Sequence, residues 1–143
     1  MASNEDIIAN LLSPKKREPD AELDRLARLV IGAAIEVHRQ LGPGLLEDVY
    51  EKALCIEFDL REIPFTHQTG VGITYKGRPV GKGRLDLLVG DRLIVELKAV
   101  ERLAPIHSAQ MISYLRMTRR NLGLLINFNV PLLKEGIKRV VVS

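Results

Sequence analysis

Residues 84–98 read Arg84-Leu85-Asp86-Leu87-Leu88-Val89-Gly90-Asp91-Arg92-Leu93-Ile94-Val95-Glu96-Leu97-Lys98, two aliphatic runs parted by a Gly-Asp step. The pattern is that of a β-hairpin, and the hydrophobic spacing selects its register. A two-residue turn at Gly90-Asp91 would set Asp86 against Val95 and mix polar with apolar side chains on both faces. A three-residue turn, Gly90-Asp91-Arg92, pairs Val89 with Leu93, Leu87 with Val95 and Leu85 with Leu97, which makes one face uniformly apolar. On the other face Leu88 then meets Ile94, Asp86 meets Glu96 and Arg84 meets Lys98. Carboxylates directly opposed across a sheet stand with Cβ atoms roughly 5 Å apart and repel. A hard divalent cation relieves that repulsion, because it takes carboxylate oxygens and keeps waters for further chemistry. Lys98 lies two residues beyond Glu96 and so shares its face. The plain alternative is a solvated face on which Asp86 and Glu96 pair with Arg84 and Lys98. Leu88 and Ile94 argue against it, since they indicate that this face is partly covered.

Working outward, the spacing of Leu23, Leu26, Ala27, Val30, Ile31, Ala34, Val37 and Leu41 predicts a helix that Gly42-Pro43-Gly44 ends. A second helix is expected from about Leu45 to Arg61, with Val49, Ala53, Leu54 and Phe58 as its buried stripe. The period then changes. Val71, Ile73 and Tyr75 alternate in a strand over residues 65–75, and Lys76-Gly77-Arg78-Pro79 turns it into the strand that reaches Val89. Beyond Pro105 a third helix is expected to turn Ile106, Ala109, Ile112 and Leu115 inward. Leu122 to Phe128 reads as a buried strand, and Gly136 to Val142 as a last one. The order ααβββαβ(β) implies an α/β fold, a mixed sheet flanked by helices, with a parallel pairing across the third helix.

The chain has 143 residues, 46% of them hydrophobic, which suits one core. Residues 1–20 read as a mobile amino-terminal arm and residues 21–143 as a single domain. A lone cysteine, Cys55, permits no internal disulfide and no thiolate metal cluster, so a reducing compartment, the cytoplasm, is expected. No apolar run nears the ~20 residues of a membrane span, and the first residues lack the order of a signal peptide. The net charge of +3 is mild, but basic residues gather at Lys15-Lys16-Arg17, at Arg116, Arg119 and Arg120, and at Lys134, Lys138 and Arg139. Each group suits a phosphate contact or an ordinary solvated face. The glycines at 70, 72, 77, 81 and 83 lack phosphate-cradling spacing before a helix, and Cys55 sits among apolar neighbours where a thiol is inert.

The segments Gly83-Arg84-Leu85-Asp86, Glu96-Leu97-Lys98 and Gln110-Met111-Ile112-Ser113-Tyr114 together resemble the GxxD, ExK and QxxxY series of RecB-like nucleases in the PD-(D/E)XK superfamily. Gly44-Leu45-Leu46-Glu47-Asp48-Val49-Tyr50 is similar to the signature of a small branch of it, the GxxExxY family. The resemblance runs from about Leu23 to Val142. Leu85 stands where the superfamily's name places a proline, a difference that RecB-like branches share. The resemblance implies a restriction-endonuclease-like fold and a nuclease using Mg²⁺, or Mn²⁺ in its place. It implies Asp86 and Glu96 as metal ligands with the Leu97 carbonyl, Lys98 as the catalytic lysine and Glu47 as a helix acid contacting the metal or its water. Gln110 and Tyr114 would order the site and the substrate backbone.

The expected activity is phosphodiester hydrolysis by a metal-activated water, on DNA ahead of RNA, with mostly phosphate contacts. The small domain suggests a homo-oligomer or a larger complex, and no membrane partner. The rival expectation is a catalytically silent nucleic-acid-binding or oligomeric scaffold of the same fold. Glu47 has a competing explanation as a first-turn acid that complements the helix dipole. Tyr50, one turn on, is expected to pack. His107, His38 and His67 are taken as ordinary structural or surface histidines, because none has a second nitrogen ligand in view.

Overall fold

The computed structural model describes residues 19–143. The expected amino-terminal arm, with Lys15-Lys16-Arg17, lies outside the described residues except for Pro19 and Asp20. Asp20 caps the first helix: its Oδ1 accepts the N–H of Leu23 at 2.9 Å. Helix α1 spans Ala21–Leu41 and ends where Gly42 takes φ 71°. Helix α2, Glu47–Leu60, starts later than expected and buries Tyr50, Leu54 and Phe58. Val49, assigned to its buried stripe, is exposed, because the helix turns its Tyr50 edge inward.

The strands are β1 (Phe65–Tyr75), β2 (Arg78–Val89), β3 (Leu93–Lys98), β4 (Leu122–Asn127) and β5 (Ile137–Val141), with helix α3 (Pro105–Thr118) between β3 and β4. They form one mixed sheet in the order β1-β2-β3-β4-β5. All pairings are antiparallel except β3 with β4, the parallel pair that the α3 crossover requires. The fold is α/β and matches the restriction-endonuclease-like expectation.

The sheet has a core on each face. Leu87, Val89, Leu93, Val95, Leu97, Leu124, Ile126 and Phe128 pack with α1 and α2. Leu85, Leu88, Ile94, Leu125 and Val140 pack with Met111 and Leu115 of α3. Helix α3 is rotated from its expected setting. Ile106 is 69% exposed and Ala109 lies open, while Met111 and Leu115 are fully buried. The cause is the flat approach to β4, where Gly123 leaves room for Met111: a Cβ at Gly123 would overlap the Met111 sulfur. Among the described residues no helix is long and apolar enough to cross a membrane.

Between β4 and β5 a 3-10 turn, Leu133–Gly136, brings Gly136 against the backbone of Asn127. A Cβ there would overlap the Asn127 carbonyl oxygen, an atom that cannot move aside. Gly136→Ala should therefore destabilise the protein by about 1–3 kcal/mol. Gly70→Ala, at an open strand position, should cost under about 1 kcal/mol. Urea unfolding of the two variants checks the difference.

Candidate functional site

The hairpin register is the one that the apolar spacing selects: Leu87 pairs with Val95, Leu88 with Ile94 and Val89 with Leu93. It does not continue to the expected pairs Asp86 with Glu96, Leu85 with Leu97 or Arg84 with Lys98. Instead the N–H of Leu97 donates to Asp86 Oδ2 at 2.8 Å, so a side chain replaces the next ladder acceptor. The neighbouring ladder lapses at the same level. β1 and β2 pair through His67 with Leu87 and Thr69 with Leu85, but Gln68 and Asp86 between them do not pair. Gln68 takes φ 52°, a left-handed conformation that is uncommon for a side-chain-bearing residue. Asp86 thus sits where both ladders are broken. One consequence departs from the expected pattern: Leu85 joins the α3 core and Leu87 the α1 core, although the two are only two residues apart.

Glu96 follows Ile94 on β3 and is 4% exposed. Its Oε1 is buried and has no hydrogen-bond partner among the described atoms. Burial above all, with the Asp86 carboxyl beside it, pushes the Glu96 carboxyl up to about 9, and Lys98 only partly offsets this. Such a group binds either a proton or a cation. The orphaned oxygen next to a second carboxylate supplies hard oxygen donors, which fit Mg²⁺ or Mn²⁺ and would not fit a soft metal.

Glu47 opens α2 and is exposed, yet its carboxyl is raised by burial and then by Asp86, and lowered by Lys98. Its field therefore overlaps the hairpin site, which capping alone would not produce. What aims it is the preceding loop. The Tyr50 hydroxyl donates to the Gly42 carbonyl at 2.6 Å and accepts from the Leu45 N–H at 3.1 Å. The Tyr50 ring stacks on Phe128 at 4.5 Å. Gly44 adopts φ 96°, open to glycine at little strain. Gly44 thus turns the chain ahead of α2, and Tyr50 ties Gly42 and Leu45 of that loop together.

Among the described residues, no three His, Cys, Asp or Glu side chains stand close enough to hold a metal among themselves. Asp86 and Glu96 are the converging pair, with Glu47 further out. Gln110 is exposed on α3 and makes no hydrogen bond to the hairpin. Tyr114 lies against Gly83, where a Cβ would come within 2.8 Å of its ring. His107 caps α3 by accepting the Ala104 N–H at 3.0 Å, and His38 Nε2 lies 2.8 Å from the Val130 carbonyl, both structural tasks. Burial, with Glu51 and Asp59 nearby, pushes the Cys55 thiol up to about 11, so it is inert as expected.

The sequence pattern missed Asn127, 2% exposed at the end of β4. Its Nδ2 donates to the Val100 carbonyl at 2.9 Å and its Oδ1 accepts the Val100 N–H at 3.1 Å, which pins the chain just after Lys98. The signal was present: Asn127 is a polar residue inside an apolar run. Arg120, in a basic group that suited either a phosphate contact or an ordinary solvated face, is paired with Asp91 at 2.9 Å. It lies near Leu122, which pairs with Leu93, while Lys98 pairs with Asn127 at the other end of β3, roughly 16 Å away.

A family model for the PD-(D/E)XK nuclease superfamily matches residues 24–140. No curated protein matches the chain.

The raised Glu96 carboxyl makes stability depend on pH. Between its ordinary value of 4.5 and about 9 the folded protein holds close to one proton more than the unfolded chain, so stability falls as pH rises through this window. In chelator, the wild type should lose on the order of 1 kcal/mol per pH unit more than Glu96→Gln over that range. Thermal unfolding of both proteins at several pH values checks it. Equal slopes would contradict a protonated Glu96.

Proposed function

Because the chain belongs to the PD-(D/E)XK nuclease superfamily, we propose that it is a metal-dependent nuclease that hydrolyses phosphodiester bonds, of DNA ahead of RNA. The observation that carries the reading is the buried, unpartnered Glu96 oxygen beside the Asp86 carboxylate. Asp86, Glu96 and the Leu97 carbonyl would hold Mg²⁺, with Glu47 completing the shell through water. The ion, when bound, supplies an activated water and neutralises charge on the scissile phosphate.

The chain's own residues do the rest. Asp86 is fixed through Oδ2 by the Leu97 N–H, which would leave Oδ1 for the ion. Lys98 carries a positive charge that both Glu96 and Glu47 feel, so its ammonium is placed to orient a phosphate oxygen and to offset charge growing there. Asn127 keeps the backbone after Lys98 from drifting. Tyr114, braced on Gly83, and Gln110 on the same stripe of α3 would steady the substrate backbone. The hydrogen bonds of Tyr50 to Gly42 and Leu45, in the loop that carries Gly44 and precedes Glu47, support the narrower assignment to the GxxExxY branch. Residues 21–143 would act as one domain, and the cytoplasm suits a chain with a single free thiol.

Labelled single- and double-stranded DNA and RNA should be cut in Mg²⁺ or Mn²⁺, and Asp86→Ala and Lys98→Ala should each lower the rate by roughly 100-fold or more. Absence of cutting, or cutting unchanged in both variants, would sink the nuclease reading in favour of a silent scaffold. Calorimetric titration with Mn²⁺ should show binding to the wild type and none to Glu96→Ala.

A further inference from the structure

Strand β2 leaves β3 at Asp86, and from there its first half runs with β1 past the sheet as a two-stranded arm. We propose that this arm grips the backbone of double-stranded DNA next to the acidic site, with Lys76, Arg78, Lys82 and Arg84 meeting phosphates. The proposal rests on the nuclease reading only for the identity of the polymer.

The arm is built for contact. Every residue from Thr74 to Lys82 is exposed, as is Arg84. The stretch from Ile63 to Leu85 contains no acid. None of the four cations forms an ion pair among the described residues, as is also true of exposed Arg28, Arg102, Arg116, Arg119, Lys134 and Lys138, whereas Arg25, Arg39, Arg61, Arg92, Arg120 and Arg139 do; the arm differs in having no acid in its stretch of chain. Unspent charge of one sign on a projecting element is the footprint of a polyanion. Gly83 and Leu85 face α3, so Lys82 and Arg84 share the opposite side of the strand. Arg84 is two residues from Asp86, about 7 Å along the strand, and Arg78 is roughly 25 Å away. A backbone held along the arm is therefore led along β2 toward Asp86.

The shape selects among polymers. Lys76 and Gly77 at the tip both have positive φ, 50° and 78°, the turn whose twist matches a coiled ribbon. A two-stranded ribbon fits the major groove of B-form DNA, about 12 Å wide, and not the narrow one of duplex RNA. Single strands need stacking platforms. Tyr75 is the exposed aromatic of the arm, and Lys76 already covers its ring at 5.5 Å. Protection of a free sheet edge is the competing explanation for lysines here. Pro79 and the unpaired Val80 of the bulge already block that edge.

Fluorescence anisotropy in chelator, with duplex DNA, single-stranded DNA and duplex RNA across about 50 to 200 mM salt, tests the arm without requiring turnover. The test variant carries Lys76→Gln, Arg78→Gln, Lys82→Gln and Arg84→Gln together. Against duplex DNA it should bind roughly 100-fold more weakly or worse, and its log–log salt slope should fall by about 3 to 4. Its thermal unfolding should match the wild type, since all four side chains are exposed. Restoring Lys82 and Arg84 alone should recover about half the slope. An unchanged slope, or tighter wild-type binding to single strands or duplex RNA, overturns the arm and leaves cleavage by Asp86 and Lys98 standing. An arm-dependent slope in a protein that cuts nothing in Mg²⁺ keeps the arm and removes the nuclease reading. Wild-type protein that binds none of the three polymers removes both.

Discussion

The 2.8 Å hydrogen bond from the Leu97 N–H to the Asp86 carboxylate is the point on which the rest of the architecture turns. It ends the β2–β3 ladder with a side chain instead of a carbonyl, so no backbone donor is left unpaired where the strands part. The same bond fixes the Asp86 carboxylate next to Glu96 and commits Glu96 to a buried position with a like charge at its side. Structure and chemistry are therefore set by one contact. The left-handed backbone of Gln68 on the other flank shows that the break extends across two strand pairs. The strain is local and sits on Gln68, across the strand from Asp86.

Electrostatics then determines what the pair can be. A carboxylate as buried as Glu96 stays ionised only with a cation against it, and otherwise takes a proton. Its orphaned oxygen is consistent with both states. The fold supplies Lys98 on one side but no complete ring of protein ligands, since no three acidic or imidazole groups converge among the described residues. An incomplete ring suits Mg²⁺, which dehydrates reluctantly and keeps waters that a hydrolytic centre needs. Helix α2, anchored by the stacking of Tyr50 on Phe128, carries Glu47 at its first position.

Much of this was legible in the sequence where period and burial agree. The hairpin register followed from keeping Leu87, Val89, Leu93 and Val95 on one face, and the parallel β3–β4 pair followed from the helix between them. The sequence was least informative where a side chain replaces a backbone bond. Strict alternation put Leu85 with Leu87, because nothing local announces that Asp86 will take the Leu97 N–H and swing Leu85 to the other face. Helix α3 misled for a different reason: with apolar residues on several sides, its setting is decided by the gap at Gly123 that admits Met111. Asn127 reads as an interruption of a strand until the chain after Lys98 is seen folding back onto it.

The distribution of charge separates structural cations from functional ones. At the end of β3 away from the site, Arg92 bonds Asp20 at 2.8 Å and Arg120 bonds Asp91 at 2.9 Å. Those guanidiniums tie α1 and the end of α3 to the hairpin turn, and their charge is largely cancelled. Around Asp86 the pattern reverses: Arg84, Lys82, Arg78 and Lys76 extend from the acidic pair without a carboxylate among them. A net charge of only +3 hides this division, because the paired residues contribute nothing to the long-range field. Placement of unpaired charge next to a site that itself repels anions would let a polyanion approach it. The acids alone would turn a phosphate away, and the arm offsets that repulsion from the adjoining stretch of the same strand.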